Sequence, residues 1–319
     1  MRKLMIKIGL FILPFIVLIG ILEVGLGNVQ DVYSYKADLF KKQQDQIETL
    51  FLGSSPTAYG VDPSYLRANS FNLANLYQFL DQDTALVSKL AAEMPNLKLV
   101  VYNLIPPAIE LGSRNTEVEI LTYKYHQFYD TRFDHWSDWL DLRAYSEIAR
   151  FGYRDSIDYL LKGFKVSLLQ GREFSEEGFV SNSSVGDAAN EGETNDEAVK
   201  KARIATLITP FQAQGNIVHN QQLIEANIKL LQARNITVAF IISPVMPQYA
   251  ALYTESYKDT KAFMEEMELN YKVKAYDYYQ DNRFSKEHFS DYLHLNSQGA
   301  IELSELIARE VMPVYYGKD

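Results

Sequence analysis

The fold is decided by the stretch Leu50-Phe51-Leu52-Gly53-Ser54-Ser55, an apolar run that stops abruptly at a glycine and two serines. The run extends back to Glu48, and its length and sharp end predict a buried β-strand. A glycine permits a tight turn, so a serine that follows it is presented at the end of the strand. On its own this pattern is weak, because glycine and serine occupy many turns.

A second motif, Asp291-Tyr292-Leu293-His294, lies late in the chain, just before a predicted final helix. On its own it indicates only a helix N-cap beside a surface histidine. Together with the serine turn it supplies the three groups of serine-dependent acyl chemistry. We therefore expect Ser55 to attack a carbonyl, His294 to accept its proton and Asp291 to orient the imidazole.

Between these motifs, predicted strands alternate with predicted helices. We expect strands at residues 48–52, 70–73, 97–105, 237–242 and 273–276, and helices at 81–93, 221–233, 257–269 and 298–311. This alternation predicts an α/β fold with a parallel sheet and helices on both faces. The carboxyl ends of parallel strands meet at one edge, so Ser55 and His294 can meet there.

Residues 111–220 interrupt the alternation, and we interpret them as a largely helical or irregular insertion that caps the sheet. Residues 172–196 within it are rich in Ser, Gly, Asn and Glu and are predicted to be mobile. Its first part is aromatic, which indicates either the core of a cap or a platform for glycan stacking. The aromatic residues are Tyr123, Tyr125, Phe128, Tyr129, Phe133, Trp136 and Trp139. His126 and His135 match no metal-binding spacing, so we expect no metal.

The N-terminus has the composition of a targeting segment. Arg2, Lys3 and Lys7 precede an uncharged apolar run from Ile8 to Leu22, and counted from Leu4 the stretch is roughly 20 residues long, enough to span a bilayer if Lys7 snorkels towards the headgroups. We expect residues 1–27 to be a retained membrane anchor, with a cytoplasmic N-terminus and the remainder outside. The small-x-small pattern Gly25-Leu26-Gly27 leaves a cleaved signal peptide, and therefore secretion, as the alternative. Residues 28–47 are then predicted to be a stalk leading to a domain at 48–319.

Composition excludes several classes of protein. The chain carries 31 basic and 41 acidic residues, a formal net charge of −10. Nucleic-acid binding requires a basic surface, so we expect no nucleic-acid partner. There is no cysteine, which excludes disulfides, thiolate metal sites and cysteine nucleophiles. We also expect no cofactor.

The two motifs together resemble those of the SGNH (GDSL-type) hydrolase superfamily, over roughly residues 48–107 and 236–311. The resemblance implies a flavodoxin-like parallel sheet. The first block of the superfamily ends in Gly-Asp-Ser, which implies Ser55 as the nucleophile and puts Ser54 in the position of the aspartate. Ser54 stays a minor alternative nucleophile. The last block implies the triad roles of Asp291 and His294.

Two further blocks of the superfamily match less well. The glycine of the second block, whose backbone N–H helps to form the oxyanion hole, falls at Tyr77. The asparagine of the third block has its nearest counterpart in Asn103, which lies earlier than the family pattern places it. The resemblance therefore implies Ser55, Tyr77 and Asn103 as oxyanion candidates. The loss of one such donor costs ~10²–10³ in rate, so these departures bear on hydrolytic efficiency.

Two other residues could be mistaken for the nucleophile and the base. Ser243 also follows a predicted strand, but Pro244 has no N–H for an oxyanion hole, so we reject Ser243 as a nucleophile. His288 lies near Asp291 but lacks the Asp-x-x-His spacing, and we interpret it as a loop residue.

The stretch from Gly53 to Pro63 looks like the membrane-anchored branch of the superfamily, which includes the D-alanyl-lipoteichoic acid biosynthesis protein and the alginate-type O-acetylation proteins. That branch implies acylation or deacylation of a cell-envelope or exported polymer through an acyl-serine. It also implies a glycan or polyol acceptor and a membrane-bound O-acyltransferase as partner. Two alternatives stay open: a secreted carbohydrate esterase that works alone, and a non-catalytic binding or assembly factor that keeps the fold.

Overall fold

The structure is a computed structural model that describes residues 1–112, 118–132, 136–164, 169, 172–181 and 217–317. Within them the chain forms a five-stranded sheet in the order β2-β1-β3-β4-β5, in which every neighbouring pair is parallel. The strands are β1 (Thr49–Leu52), β2 (Ser70–Asn72), β3 (Leu99–Asn103), β4 (Thr237–Ile242) and β5 (Lys274–Asp277). The predicted α/β fold is confirmed, and this strand order is the flavodoxin-like one.

Both faces of the sheet are buried. Along β1, Leu50 and Leu52 join one hydrophobic cluster, while Phe51 between them joins a second cluster on the other face. β3 and β4 alternate in the same way. Successive side chains of a strand point to opposite faces, so a strand covered on both sides needs apolar residues throughout. This is why the central strands are continuous apolar runs in the sequence.

Helices cover the two faces. In chain order they are α1 (Arg2–Gly27), α2 (Val32–Gln43), α3 (Ser55–Gly60), α4 (Leu80–Leu90), α5 (Thr122–Tyr129), α6 (Glu147–Leu161), α7 (Ile217–Gln232), α8 (Pro247–Leu252), α9 (Thr254–Asn270), α10 (Ser297–Glu310) and α11 (Met312–Tyr316). α2, α4, α7 and α9 pack into the larger cluster, and α10 and α11 pack into the other. The helices predicted at 81–93, 221–233, 257–269 and 298–311 correspond to α4, α7, α9 and α10.

The segment expected to be a stalk lies on the domain. Tyr33, Ala37 and Phe40 of α2 are buried in the larger cluster, and Lys36 is buried beside them. The buried apolar positions recur at i, i+4 and i+7, which places them on one face of the helix. The polar composition of residues 28–47 concealed this narrow apolar face, so the helix is docked where the sequence indicated a spacer.

The N-terminal helix α1 is long and apolar enough to cross a membrane, with a mean hydropathy of 2.6 over its most apolar window. Its side chains are exposed as far as Ile21, whereas Leu22 and Leu26 are buried against the domain. A helix of this kind is compatible with a signal anchor or a signal sequence.

The predicted insertion is described in part, as α5, α6, short 3-10 turns and the segment 172–181. The N–H of Val180 donates to the carbonyl of Ala58 at 3.1 Å, and the N–H of Asn72 donates to the carbonyl of Glu177 at 2.8 Å. Residues 172–181 are therefore held against α3 and the end of β2. Residues 182–196 of the segment predicted to be mobile lie outside the described residues.

Candidate active site

The turn after β1 presents Ser55 at the first position of α3. Gly53 has a φ of 127°, in a region that other residues rarely adopt, and a side chain there would lie 2.6 Å from Thr57 Oγ1. Ser54 is the N-cap residue of α3, and Pro56 lies in its first turn, where a missing N–H costs nothing. The glycine, the cap and the proline together fix the direction of the Ser55 side chain.

A short loop after β5 presents Asp291 and His294. Phe289 and Leu295 form an antiparallel bridge, and the N–H of Ser290 donates to the carbonyl of His294 at 2.9 Å. The side chain of Asn296 then caps α10 by accepting from the N–H of Gly299 at 3.0 Å. The loop is closed at both ends, so the two residues of the motif have little freedom relative to α10.

These two elements bring the predicted residues together at the carboxyl edge of the sheet. Ser55 Oγ lies 2.7 Å from His294 Nε2, and His294 Nδ1 lies 2.7 Å from Asp291 Oδ2. The other oxygen of Asp291 accepts from the backbone N–H groups of Leu293 and His294, both at 2.8 Å. Because a charged carboxylate only accepts hydrogen bonds, His294 Nδ1 carries the proton and His294 Nε2 accepts from the Ser55 hydroxyl.

The environment of Asp291 favours its charged form. Burial works to raise the pKa of this carboxyl, but the His294 imidazole and the backbone N–H groups of Leu293 and His294 outweigh it and lower the pKa below its ordinary value. The aspartate is therefore ionised near neutral pH and able to hold the imidazole in one tautomer.

The three oxyanion candidates have different surroundings. The N–H of Ser55 lies in the first turn of α3, where backbone N–H groups have no partner within the helix. Tyr77 has a φ of 56°, the left-handed conformation that favours glycine. Asn103 is buried, and its side-chain amide is paired with Ser243: it donates to Ser243 Oγ, and its oxygen accepts from the Ser243 N–H at 3.1 Å.

The remaining candidates have structural partners. Ser243 lies at the end of β4 and ties it to β3 through Asn103. His288 Nδ1 accepts from the N–H of Ser285 at 3.0 Å, at the start of a short 3-10 turn. The His294 ring is hydrogen-bonded to Ser55, the residue after Ser54.

Sequence reasoning missed Tyr59 and Arg172. The ring of Tyr59 lies edge-on to the His294 imidazole, with centroids 5.5 Å apart. Burial raises the pKa of Tyr59, and a hydrogen bond from the Arg172 guanidinium works in the opposite direction. Tyr59 lies four residues after Ser55, so helical spacing could have predicted its position. Arg172 belongs to the insertion, and no local pattern links it to the site.

The aromatic residues of the insertion do not share one surface. Tyr123, Tyr125 and Tyr129 are buried, the last two in the larger core cluster, which favours the interpretation as the core of a cap. Trp136 and Trp139 are exposed, and Phe133 lies outside the described residues. Among the described residues no group of three or more His, Asp or Glu is placed to hold a metal. His135 lies outside them, so the expectation of no metal stays a prediction.

Solved structures that are similar to this chain include two from Bacteroides species. One, a provisionally assigned acylhydrolase from Bacteroides fragilis NCTC 9343, has 11% sequence identity and a TM-score of 0.40, with 85% of this chain and 92% of that chain covered. The other, a GDSL-like lipase from Bacteroides thetaiotaomicron VPI-5482, has 9% identity and a TM-score of 0.39, with 86% and 97% covered. Likenesses this slight carry no argument about activity.

Sequence comparisons add little to this. A protein-family model matches residues 209–315, which is less than half of the chain and does not show a family. No curated protein matches the sequence. What can be stated is the class: an α/β protein with a flavodoxin-like strand order and a hydrogen-bonded Ser-His-Asp chain at the carboxyl edge of its sheet.

Proposed function

We propose that this chain is a membrane-anchored serine-dependent esterase or O-acyltransferase of the SGNH type, with Ser55, His294 and Asp291 as its catalytic residues. The observation that carries the proposal is the unbroken hydrogen-bonded chain from Ser55 Oγ through both ring nitrogens of His294 to Asp291. A nucleophile, a base and its orienter within hydrogen-bond reach are the geometric requirement of acyl transfer.

The chemistry follows from this arrangement. Ser55 Oγ attacks the carbonyl carbon of an ester while its proton passes to His294 Nε2, and Asp291 stabilises the imidazolium that forms. Collapse of the tetrahedral intermediate breaks the bond to the leaving alcohol, which takes the proton from His294. An acyl-serine stays on the enzyme. A water or a second hydroxyl then attacks it, again with His294 as the base, and Ser55 is regenerated.

The negative oxygen of the intermediate needs preorganised donors. The N–H of Ser55 at the start of α3 is the first candidate, and the N–H of Tyr77 is the second. Tyr77 has the left-handed φ that favours glycine, the residue of the superfamily at this block. A tyrosine in this backbone conformation supports the assignment because the N–H direction depends on the backbone and not on the side chain.

The cellular setting of the proposal rests on α1. An exposed apolar helix after Arg2 and Lys3 supports a single span with a cytoplasmic N-terminus and an extracytoplasmic site. A site held outside the membrane suits acyl transfer to a glycan or polyol polymer of the cell envelope. A membrane-bound O-acyltransferase would supply the acyl group in that case. A secreted esterase that works alone is the second form of the proposal.

The test uses the full chain in detergent micelles, with a fluorophosphonate probe and with p-nitrophenyl acetate. We expect labelling and acetate release from the unaltered protein and from Ser54→Ala, and neither from Ser55→Ala or His294→Ala. Ser54→Ala is the matched control, because it removes the adjacent hydroxyl from the same turn. Labelling that survives in Ser55→Ala but disappears in Ser54→Ala would move the nucleophile by one residue.

A second measurement separates the two reactions. We would add polyols or oligosaccharides to the p-nitrophenyl acetate reaction and analyse them by mass spectrometry. Acetylated acceptor would indicate transfer, and release of acetate alone would indicate an esterase. If every folded variant, including the unaltered protein, resists the probe, the proposal of catalysis fails and a non-catalytic assembly factor becomes the better account.

A further inference from the structure

The outer end of α1 is built into the domain. Glu23 accepts hydrogen bonds from Ser146 Oγ at 2.5 Å and from the N–H of Glu147 at 2.7 Å. A carboxylate at this position caps the first turn of α6 and complements its dipole. Leu22 and Leu26 are buried, so α1 has a fixed position relative to α6 and is not a loose tether.

The segment from Trp136 to Phe164 surrounds this end of α1. The ring of Phe164 lies directly on the helix at Gly25, where an added Cβ would be 2.3 Å from it. Tyr145 lines a cavity together with Val24 and Gly27, and its hydroxyl donates to the carbonyl of Trp139 at 3.2 Å. We call the described residues 136–164 the collar.

The collar exposes large apolar side chains. Trp136 is 78% exposed and Trp139 is 49% exposed. On α6, Tyr153, Ile157 and Leu161 are 75%, 50% and 80% exposed and recur at i, i+4 and i+8, on one face of the helix. Exposed apolar residues that form a stripe on a helix mark an interaction surface.

The length of α1 places the membrane surface at the level of the collar. The hydrocarbon core of a bilayer requires about 20 helical residues, and about 20 residues counted from Lys3, with Lys7 snorkelling to the inner headgroups, end at Leu22. Glu23 is the residue that accepts from Ser146 and Glu147 at the start of α6. The collar therefore begins at the height where hydrocarbon gives way to headgroups.

We propose that the collar lies in the outer interface of the bilayer, with its tryptophans, tyrosines and aliphatic residues inserted at the level of the headgroups. The proposal rests on the membrane anchoring in the proposed function. Tryptophan and tyrosine are the residues enriched at this level of membrane proteins. The collar carries four basic and five acidic residues, a net charge of −1, so it suits a lipid surface without net charge.

The collar orients the domain because α1 alone leaves rotation and tilt open. Interfacial tryptophans and tyrosines resist movement out of the interface and so fix the tilt of the helix to which they are attached. The catalytic edge of the sheet is then held in one orientation to the membrane surface. A site held in this way acts on acyl donors or acceptors that stay close to the lipid.

The test uses the full chain reconstituted with synthetic phosphatidylcholine and no other protein. Trp136 and Trp139 are the only tryptophans in the sequence, so intrinsic fluorescence reports on the collar without labelling. With bromine on the acyl chains near the headgroups we expect a loss of fluorescence, and we expect little quenching by aqueous iodide. Strong iodide quenching without a bromine effect would overturn the proposal and indicate a face that docks a protein.

A matched pair of variants tests whether the fluorescence quenching depends on the collar. We expect Leu161→Asp to weaken bromine quenching and to increase iodide quenching. Leu269→Asp should change neither, since Leu269 is 86% exposed on α9, which packs against the edge strand β5. Equal behaviour of the two variants would contradict a role for the stripe on α6.

Flotation of the vesicles after an alkaline wash distinguishes the collar from the anchor. Failure to float would overturn the anchoring and the collar together. Flotation with iodide-accessible tryptophans would overturn the collar alone. Neither result alters the labelling of Ser55 by the fluorophosphonate probe in detergent, which tests the catalytic part of the proposed function.

Discussion

The carboxyl ends of β1 and β2 lie side by side in the sheet, but the polar groups at these two ends differ in their hydrogen-bond partners. At the end of β1, Ser55 meets His294 and Asp291 from the loop after β5, and each of the three has a side-chain partner. After β2, ionisable groups are buried with sparse partners: the ammonium of Lys36 donates to the carbonyl of Ala74, and Asp83 accepts from Gln78 Nε2 at 2.6 Å.

The difference appears in the pKa values. The partners of Asp291 lower the pKa of its carboxyl despite burial, so the group stays charged. Burial raises the pKa of Asp83 to about 7, against the hydrogen bonds from Gln78 and from the backbone of Gly53, and burial lowers the pKa of Lys36 to about 7. The first region is arranged to move a proton. The second supports the backbone around the site at a cost in stability.

The sharpest way to break this comparison is to remove the charge from the first region. We expect Asp291→Asn to lower kcat/KM for p-nitrophenyl acetate about 10⁴-fold, because the amide favours the wrong tautomer of His294. Asp281→Asn is the matched control, since this carboxylate also follows β5 but pairs with the exposed Arg283. A loss under about ten-fold in Asp291→Asn would contradict the orienting role of the carboxylate.

A second change tests the backbone of the first region. Gly53→Ala adds a Cβ at a φ of 127°, 2.6 Å from Thr57 Oγ1 and 3.3 Å from the carbonyl oxygen of Asn103. Backbone strain and overpacking together should lower the free energy of unfolding by about 3 kcal/mol. In Gly60→Ala the added Cβ makes ordinary contacts at 3.5 Å, and we expect only a small change. Chemical denaturation measures both, and similar midpoints would show that the turn tolerates a side chain.

The second region predicts a dependence of stability on pH. The pKa of Lys36 is about 7 in the folded protein and near 10.5 when unfolded, so between these values the unfolded chain binds more protons. Stability from this residue therefore rises as the pH increases from 7 towards 10, by on the order of 4 kcal/mol. Below pH 7 Lys36 is charged while it is buried in the folded protein, and the loss of its hydration lowers the free energy of unfolding most in that range.

Lys36→Met should abolish this rise, and the difference between the variant and the unaltered protein in thermal unfolding from pH 7 to pH 10 measures it. Lys42→Met is the control, because Lys42 lies on the same helix and is exposed. If both variants keep the rise, Lys36 is not dehydrated and the contrast between the two regions disappears.

The smallest effect is expected at Tyr77, where the two regions meet. Tyr77→Gly relieves a left-handed φ of 56° but gives the unfolded chain more freedom, so stability should rise by less than about 1 kcal/mol. Ester hydrolysis should change less than about ten-fold, because the backbone N–H is retained. Tyr77→Val is the contrast, since a β-branched residue tolerates this conformation poorly. A large loss of rate in Tyr77→Gly would assign the role to the tyrosine ring.

The same contrast explains what the sequence could predict. The strands could be predicted from the sequence because β1, β3 and β4 are buried on both faces and are therefore apolar throughout. Ser55, Asp291 and His294 could be predicted because the chemistry requires particular residues at short, fixed spacings. That they lie close together was inferred from the topology of the sheet. The left-handed backbone at Tyr77 could not be predicted, because a tyrosine in the sequence does not indicate a positive φ. Lys36 was concealed because a lysine in a polar helix normally indicates solvent.

The carboxylate of Glu23 has a further consequence for maturation. A peptidase that cut after Gly27 would remove Leu22, Leu26 and the Glu23 carboxylate, and Ser146 would be left as the side-chain cap of α6. The N–H of Glu147 would lose its partner, and the surface that Leu22 and Leu26 cover would be exposed, which favours aggregation of the released polypeptide. Removal of the N-terminal helix would therefore not be neutral for this protein, because the end of that helix also covers part of the region that follows it.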